Sequence, residues 1–241
     1  GVPAEMKEMF TTTVAPAILE MIPAEQRRII RHRRLKCFGV GESDLEAMLP
    51  NVIARDRYPR VGITVSKATI TLRITAQEAD EAACRAVMEP TIATIRECLG
   101  ELVFGEEDDE LHHVVGRTLA ARGLTLATAE QYTGGLLAGW LASIPEAQLV
   151  SRGGRWRSSG PCRNRQDVAA LAATIRQESL ADIALVIGAL DTQDADSNGS
   201  IHFALAGADK VTSFSSPDIG HPDIRQARLA KAALDALRKH L

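Results

Sequence analysis

No two cysteines in this 241-residue chain stand close enough in sequence to form a CxxC pair. Cys37, Cys84, Cys98 and Cys162 are widely spaced, which excludes a zinc framework and a disulfide scaffold and leads us to expect a cytoplasmic, reducing setting. No apolar run approaches the roughly 18 residues that a membrane helix needs, and no secretory signal is visible, so no membrane role is expected. The excess of basic residues that marks a general nucleic-acid binder is missing as well, since the formal net charge is −3. What is present is a chain that is 45% hydrophobic, enough to build a packed core. At roughly 100–150 residues per domain, its length predicts two domains.

The first of these reads as a small α+β domain. A mixed helical stretch over 5–21 ends at Ile22-Pro23. Residues 25–37 then carry Arg27, Arg28, Arg31, Arg33, Arg34 and Lys36, and the second half of this run is read as a strand. Gly39-Val40-Gly41 marks a turn, and Ser43 with Glu46 three residues on has the pattern of a capping box. Residues 61–65 and 69–75 alternate apolar and polar side chains, as a hairpin with one buried face does. A long helix over 78–99 follows. The stretch Gly100–Asp109, acidic and turn-forming over Gly105–Asp109, is the best boundary. Beyond it come a helix over 111–122 closed by Gly123, a strand over 124–128, a helix over 136–143, an irregular stretch over 152–165 and a helix over 167–178. A buried strand over 182–190, a polar loop, a strand over 201–206 and a terminal helix over 223–241 complete the alternation, which predicts layered α/β architecture.

One segment carries a chemical signal. Between the strand ending at Thr128 and the helix starting at Leu136 lies Ala129-Glu130-Gln131-Tyr132-Thr133-Gly134-Gly135. A glycine-rich loop lets backbone approach a ligand closely, and the first N–H groups of the following helix favour an anion such as phosphate. Thr133 would add a hydroxyl. A sharp structural turn is the competing reading, because a lone Gly-rich loop is weak evidence.

The run from Gly123 to Ala138 resembles the hallmark of the CinA family, the competence/damage-inducible proteins. The resemblance continues through Ile144-Pro145, Gly153-Gly154, the strands 181–186 and 201–206 and the last helix. Phe38-Gly39-Val40-Gly41-Glu42-Ser43 looks like the start of that family's KH-like middle domain. Val2-Pro3-Ala4-Glu5-Met6-Lys7 looks like the tail of its N-terminal molybdopterin-binding-like domain, otherwise missing here. The resemblance therefore implies a tail over 1–23, a KH-like α+β domain over 24–105 and a C-terminal α/β domain over 106–241. In the family that last domain is a nicotinamide mononucleotide deamidase, and the family tends to self-associate, so a homo-oligomer is expected.

Three departures bear on the chemistry. The family loop reads Ala-Glu-Ser-Cys-Thr-Gly-Gly, with the serine as nucleophile, and Gln131 stands in its place; a carboxamide cannot form the acyl-enzyme. The activating lysine aligns with Arg163, which stays protonated and makes a poor base. The threonine of a Thr-Gly-Ile-Ala-Gly-Pro loop aligns with Ile187. The resemblance thus implies lost or weak deamidase activity, with Ser158 and Ser159 as the substitute nucleophiles. Ligand binding is expected to persist at Thr133, Gly134 and Gly135 and at Arg225, which aligns with an arginine near the family's nucleotide site; the ligand would be a pyridine nucleotide or related phosphate. No cofactor is expected.

Other constellations are weaker. Ser158 or Ser159 with His202, His221 or Asp191 would form a triad only if the fold assembled it. His112-His113 with Glu110 is a poor metal site, because adjacent helical residues point about 100° apart, and no metal is expected. Asp191, Asp194, Asp196 and Asn198 match a calcium loop only loosely, with His202 where its last glutamate should be. The Arg27–Lys36 stretch lacks the GXXG loop with which KH domains clamp nucleic acid, so a basic face or a contact with the acidic 106–110 run is preferred.

Overall fold

The computed structural model describes residues 2–23, 26–54, 56–156, 160, 162–191, 199–218 and 220–241, with only the backbone of Trp156 included. The chain separates into two compact units, one of Gly1–Arg33, Glu46–Gly62 and Arg73–Gly100, the other of Arg34–Leu45, Ile63–Leu72 and Glu101–Leu241. It is a mixed α/β protein with two sheets. Among the described residues, no helix is long and apolar enough to cross a membrane.

The first unit opens with α1 (Pro3–Met9), which passes through a π-helical turn at Phe10–Val14 into α2 (Ala15–Met21). Not one of these residues is buried, and Met6, Met9, Phe10, Ile18 and Leu19 all face solvent. The helical path ends at Ile22, whose backbone is extended, as the Ile22-Pro23 pair predicts. The core of this unit is one face of α4 (Glu81–Leu99), where Cys84, Met88, Ile92, Ile95 and Leu99 recur at helical spacing, together with Leu49, Val52, Ile74 and Ala76. Asp80 caps α4 by accepting the Ala83 N–H at 2.8 Å, and the helix runs through Pro90 without a break.

A four-stranded sheet has the order β2-β3-β1-β4, formed by β1 (Ile29–Cys37), β2 (Arg60–Ser66), β3 (Thr69–Glu78) and β4 (Val103–Glu106). The hairpin between β2 and β3 turns on two residues, Lys67 at φ 46° and Ala68 at φ 66°. Helix α3 (Glu42–Ala47) begins one residue before Ser43, so the expected Ser43 cap lies inside its first turn. Arg34 pairs with Asp108 at 3.0 Å and its backbone N–H reaches Glu107 at 3.2 Å, which ties the end of the basic run to the acidic one.

The second unit is built around a five-stranded sheet of order β6-β5-β7-β8-β9. Its strands are β5 (Leu126–Glu130), β6 (Ser151–Trp156), β7 (Ile183–Asp191), β8 (Ser200–Ala206) and β9 (Val211–Pro217). The neighbours of β5 are both parallel to it, while β8 and β9 are antiparallel additions. Alternation along β7 sends Ala184 and Val186 to one face, against Val168, Leu171, Ala172 and Ile175 of α8 (Arg165–Ser179). Ile183, Leu185 and Ile187 go to the other face, against α5 (Leu111–Arg122), α6 (Leu136–Ala142) and α9 (Pro222–His240). A short helix, α7 (Ala147–Val150), leads into β6. The result is the layered α/β arrangement expected, with β7 covered on both faces, as its continuous apolar sequence requires.

Two strands of this five-stranded sheet differ from expectation. The stretch beginning at Arg152 is not irregular at its start, because Ser151–Trp156 forms edge strand β6. Val211–Pro217, assigned no element from its sequence, is β9. In contrast, α5 ends at Gly123 with φ 65°, the left-handed closure read from the sequence.

Candidate active site

The Gly-rich loop leaves the carboxyl end of β5, between parallel strands β6 and β7. Gly134 (φ 62°) and Gly135 (φ 92°) both take left-handed backbone. A Cβ on either would meet nothing within 4 Å, so the dihedrals, and not crowding, call for glycine here.

The residue just before the loop organises it. Glu130 is 1% exposed. Its carboxylate accepts the Thr133 hydroxyl at 2.5 Å, the Leu137 N–H at 3.0 Å and the Ala138 N–H at 2.8 Å. The Leu136 N–H goes to the Thr133 carbonyl and the Gly139 N–H to the Gly135 carbonyl. All four N–H groups at the start of α6 are therefore taken. An internal carboxylate thus takes the Leu137 and Ala138 N–H groups at the helix N-terminus, and the Thr133 hydroxyl faces that carboxylate.

Both polar atoms of the Gln131 side chain are held. Its Nε2 donates to the Gly160 carbonyl at 3.0 Å and its Oε1 accepts the Cys162 N–H at 2.9 Å. Its backbone N–H donates to the Ile187 carbonyl at 3.0 Å. Cys162 in turn accepts the Ala189 N–H through its carbonyl. Exposed Arg163 lies between Cys162 and Asn164, the N-cap of α8. Positions 131 and 187 meet where β5 ends beside the middle of β7, and Cys162, the neighbour of Arg163 in sequence, bonds to Ala189 further along β7. The side chain of Ile187 is turned away into the apolar core. Gly188 has no room for any side chain, since a Cβ would stand 2.4 Å from the Cys162 carbonyl and 3.1 Å from that of His202.

Arg225 belongs to a neighbouring network that the sequence did not disclose. Buried Asp218 accepts the Tyr132 hydroxyl at 2.8 Å and Nη1 of Arg225 at 3.2 Å. Arg225 Nε also donates to the Gly220 carbonyl, and Gln226 donates to the Tyr132 carbonyl. Burial, then the hydrogen bond to Asp218, pushes the Tyr132 hydroxyl up to about 12. Glu130, Tyr132 and Asp218 went unread in the sequence. None of the three carries a local signal that sets it apart from an ordinary polar residue.

The remaining candidates fall elsewhere. Ser158 and Ser159 lie outside the described residues, as do Asp194, Asp196 and Asn198 of the calcium-like spacing. His202 does sit near Asp191, with Nε2 3.6 Å from Oδ2, but the serine on its other nitrogen is Ser215 at 2.7 Å. His221 is apart from them, accepting the Asp223 N–H at the start of α9. His113 accepts the Glu110 N–H in a capping box, and His112 stacks on Trp140 with ring centroids 5.6 Å apart, so both rings have structural work.

This fold and loop have relatives. A model of the damage-inducible protein CinA KH domain matches residues 32–105, and one of the CinA C-terminal domain matches residues 108–155. The CinA-like protein of Frankia casuarinae is 34% identical over 266 residues, an alignment covering 100% of this chain and 60% of that protein. The chain belongs to the CinA family. A putative competence-damage inducible protein of Moorella thermoacetica is 40% identical over 154 residues, covering 64% of this CinA chain and 36% of the relative. A crystal structure of a CinA superfamily protein from Enterobacter cloacae shares the fold at a TM-score of 0.50 and 21% identity, over 56% of this chain and 94% of that one. This CinA chain spans at most about 60% of the length of the curated relatives it matches.

Proposed function

We propose that the C-terminal domain of this CinA-like protein does not hydrolyse the amide of nicotinamide mononucleotide, and that its strand–loop–helix segment has become a structural staple. The observation that carries this reading is the Gln131 amide, bonded at both ends to the backbone of Gly160 and Cys162, at the position of the family's nucleophilic serine. A carboxamide so held neither attacks a carbonyl nor leaves room for a serine-like acyl intermediate. Arg163 cannot act as the base that a lysine supplies, and Ile187 brings no hydroxyl.

The same reasoning sets the ligand role second. A pyridine nucleotide or other phosphate would meet an α6 N-terminus already capped by Glu130, and an Arg225 whose charge is already matched by Asp218. The test is ammonia release from nicotinamide mononucleotide by protein shown to be folded by circular dichroism, with binding followed by calorimetry. No turnover and an affinity weaker than about 1 mM are expected. Turnover above the enzyme-free blank overturns the proposal.

A further inference from the structure

A cavity of about 680 Å³ opens in the second unit, away from the Gln131 loop. That volume lies within the range of small-molecule sites. Its long wall is one face of α9, where Ile224, Arg228, Ala232, Ala236 and Lys239 follow one another at intervals of three or four residues. Ala232 and Ala236 are the reason the space exists, because two small side chains in the middle of that face leave the volume that leucines would fill. Phe214 and Ser216 come from alternate positions of β9 and so face the same side. Ala68 and Ile70 line the opposite part, beside the turn Gly39–Glu42. Ala68 is held at φ 66°, a conformation disfavoured for a residue with a Cβ.

The charges at its rim are not equivalent. Asp235 is nearly buried and held by Arg238 at 2.7 Å and Lys239 at 2.8 Å, so its charge is already met. Among the described residues, Arg228 has neither a hydrogen bond nor a carboxylate in ion-pair range. Its Nη1 lies beside the Gly220 turn, 3.7 Å from where a Cβ would project. A guanidinium on the wall of a largely apolar cavity that also carries an aromatic ring is a receptor for a planar anion that has an apolar body. Glu42 also lines the cavity, is exposed and has no cation in ion-pair range among the described residues, so it disfavours a second negative charge on the ligand.

We propose that this cavity binds an organic monoanion, an aromatic or branched carboxylate or sulfonate, with its charge on Arg228 and its body between Phe214, Ile70 and the two alanines of α9. The proposal does not rest on the loss of amide hydrolysis, because no residue of the cavity belongs to the Gln131 site.

Two probes with the same ring system separate charge from apolar burial: 8-anilinonaphthalene-1-sulfonate and the neutral N-phenyl-1-naphthylamine. Fluorescence titration should show the sulfonate binding about tenfold tighter than its neutral counterpart. Arg228→Gln should remove that preference and leave the neutral probe unchanged. Ala232→Trp should abolish binding of both, with circular dichroism and the thermal midpoint of each variant confirming a folded chain. Glu42→Gln should leave sulfonate binding equal or tighter. Equal affinity of the two probes for the unaltered protein, full binding by Ala232→Trp, or a preference retained by Arg228→Gln would each overturn the proposal. Weaker sulfonate binding by Glu42→Gln would do the same, since loss of a negative charge on the cavity wall cannot weaken the binding of an anion held as proposed.

Discussion

Replacing Glu130 by glutamine keeps shape and volume and removes only charge and one acceptor atom. Two of the three donors, the Thr133 hydroxyl and the Leu137 N–H, meet at Oε2, and the third, the Ala138 N–H, meets Oε1. A glutamine in that place keeps its oxygen where two donors converge and turns its NH2 toward Ala138. One charge-assisted bond, about 1.5–3 kcal/mol, is then lost. The Ala138 N–H is left facing another donor, and the other two bonds weaken to neutral ones. The favourable interaction of a carboxylate with the helix N-terminus also goes. Because these contributions overlap, the expected cost is on the order of 3 kcal/mol, a large share of the 5–15 kcal/mol that stabilises a typical domain.

Urea unfolding of the Glu130→Gln variant, followed by tryptophan fluorescence, measures this directly, because Trp140 is on α6 itself. Hydrogen exchange at the Leu137 and Ala138 amides reads the local effect. Both amides should exchange faster in the variant. If α6 instead offered its N–H groups to a phosphate and Glu130 were incidental, the substitution would cost little and would strengthen phosphate binding. A change below about 0.5 kcal/mol with unaltered exchange at 137 and 138 refutes the staple.

Two further outcomes follow from the same region. Gly188→Ala should destabilise the second unit by at least 1–3 kcal/mol, roughly the cost of overpacking, because its Cβ would meet two backbone carbonyls that cannot rotate away; a thermal midpoint equal to that of the unaltered protein would contradict the close approach of 162, 188 and 202. Burial, and then the charge of His113, pushes His112 down to about 4. Its folded value thus lies below the unfolded one, so the stability it contributes is present above the unfolded value near 6.5 and is lost as pH falls toward 4. The thermal midpoint of a His112→Phe variant, which keeps a ring on Trp140, should depend less on pH across that window than the midpoint of the original chain.

What could be read in advance, and what could not, separates by the range of the forces involved. Helix α5 and its Gly123 closure are local matters of apolar spacing and one left-handed residue, and they were legible. Strand β9 was not, because Val211-Thr-Ser-Phe-Ser-Ser-Pro217 carries little apolar signal of its own. It is a strand because it pairs with β8 all the way from Ser200↔Pro217 to Ala206↔Val211. Gly153-Gly154 misled in the same way. The pair reads as a loop, yet Gly154 is required inside β6 because a Cβ there would lie 2.7 Å from that of Ala138 and 2.9 Å from the Thr128 hydroxyl. The site divides along the same line. The family frame around Gln131 was visible in one stretch of chain, so its departures could be named. The partners that decide what Gln131 and Thr133 do, the Gly160–Cys162 backbone and the Glu130 carboxylate, differ in kind. That backbone lies 29 to 31 residues away from Gln131 and has no side-chain signature. Glu130 reads in sequence as an ordinary acid, and only its burial requires that it be paired with donors. That the residue preceding such a loop bonds to the helix N-terminus beyond it is therefore a matter of burial, which a local motif does not encode.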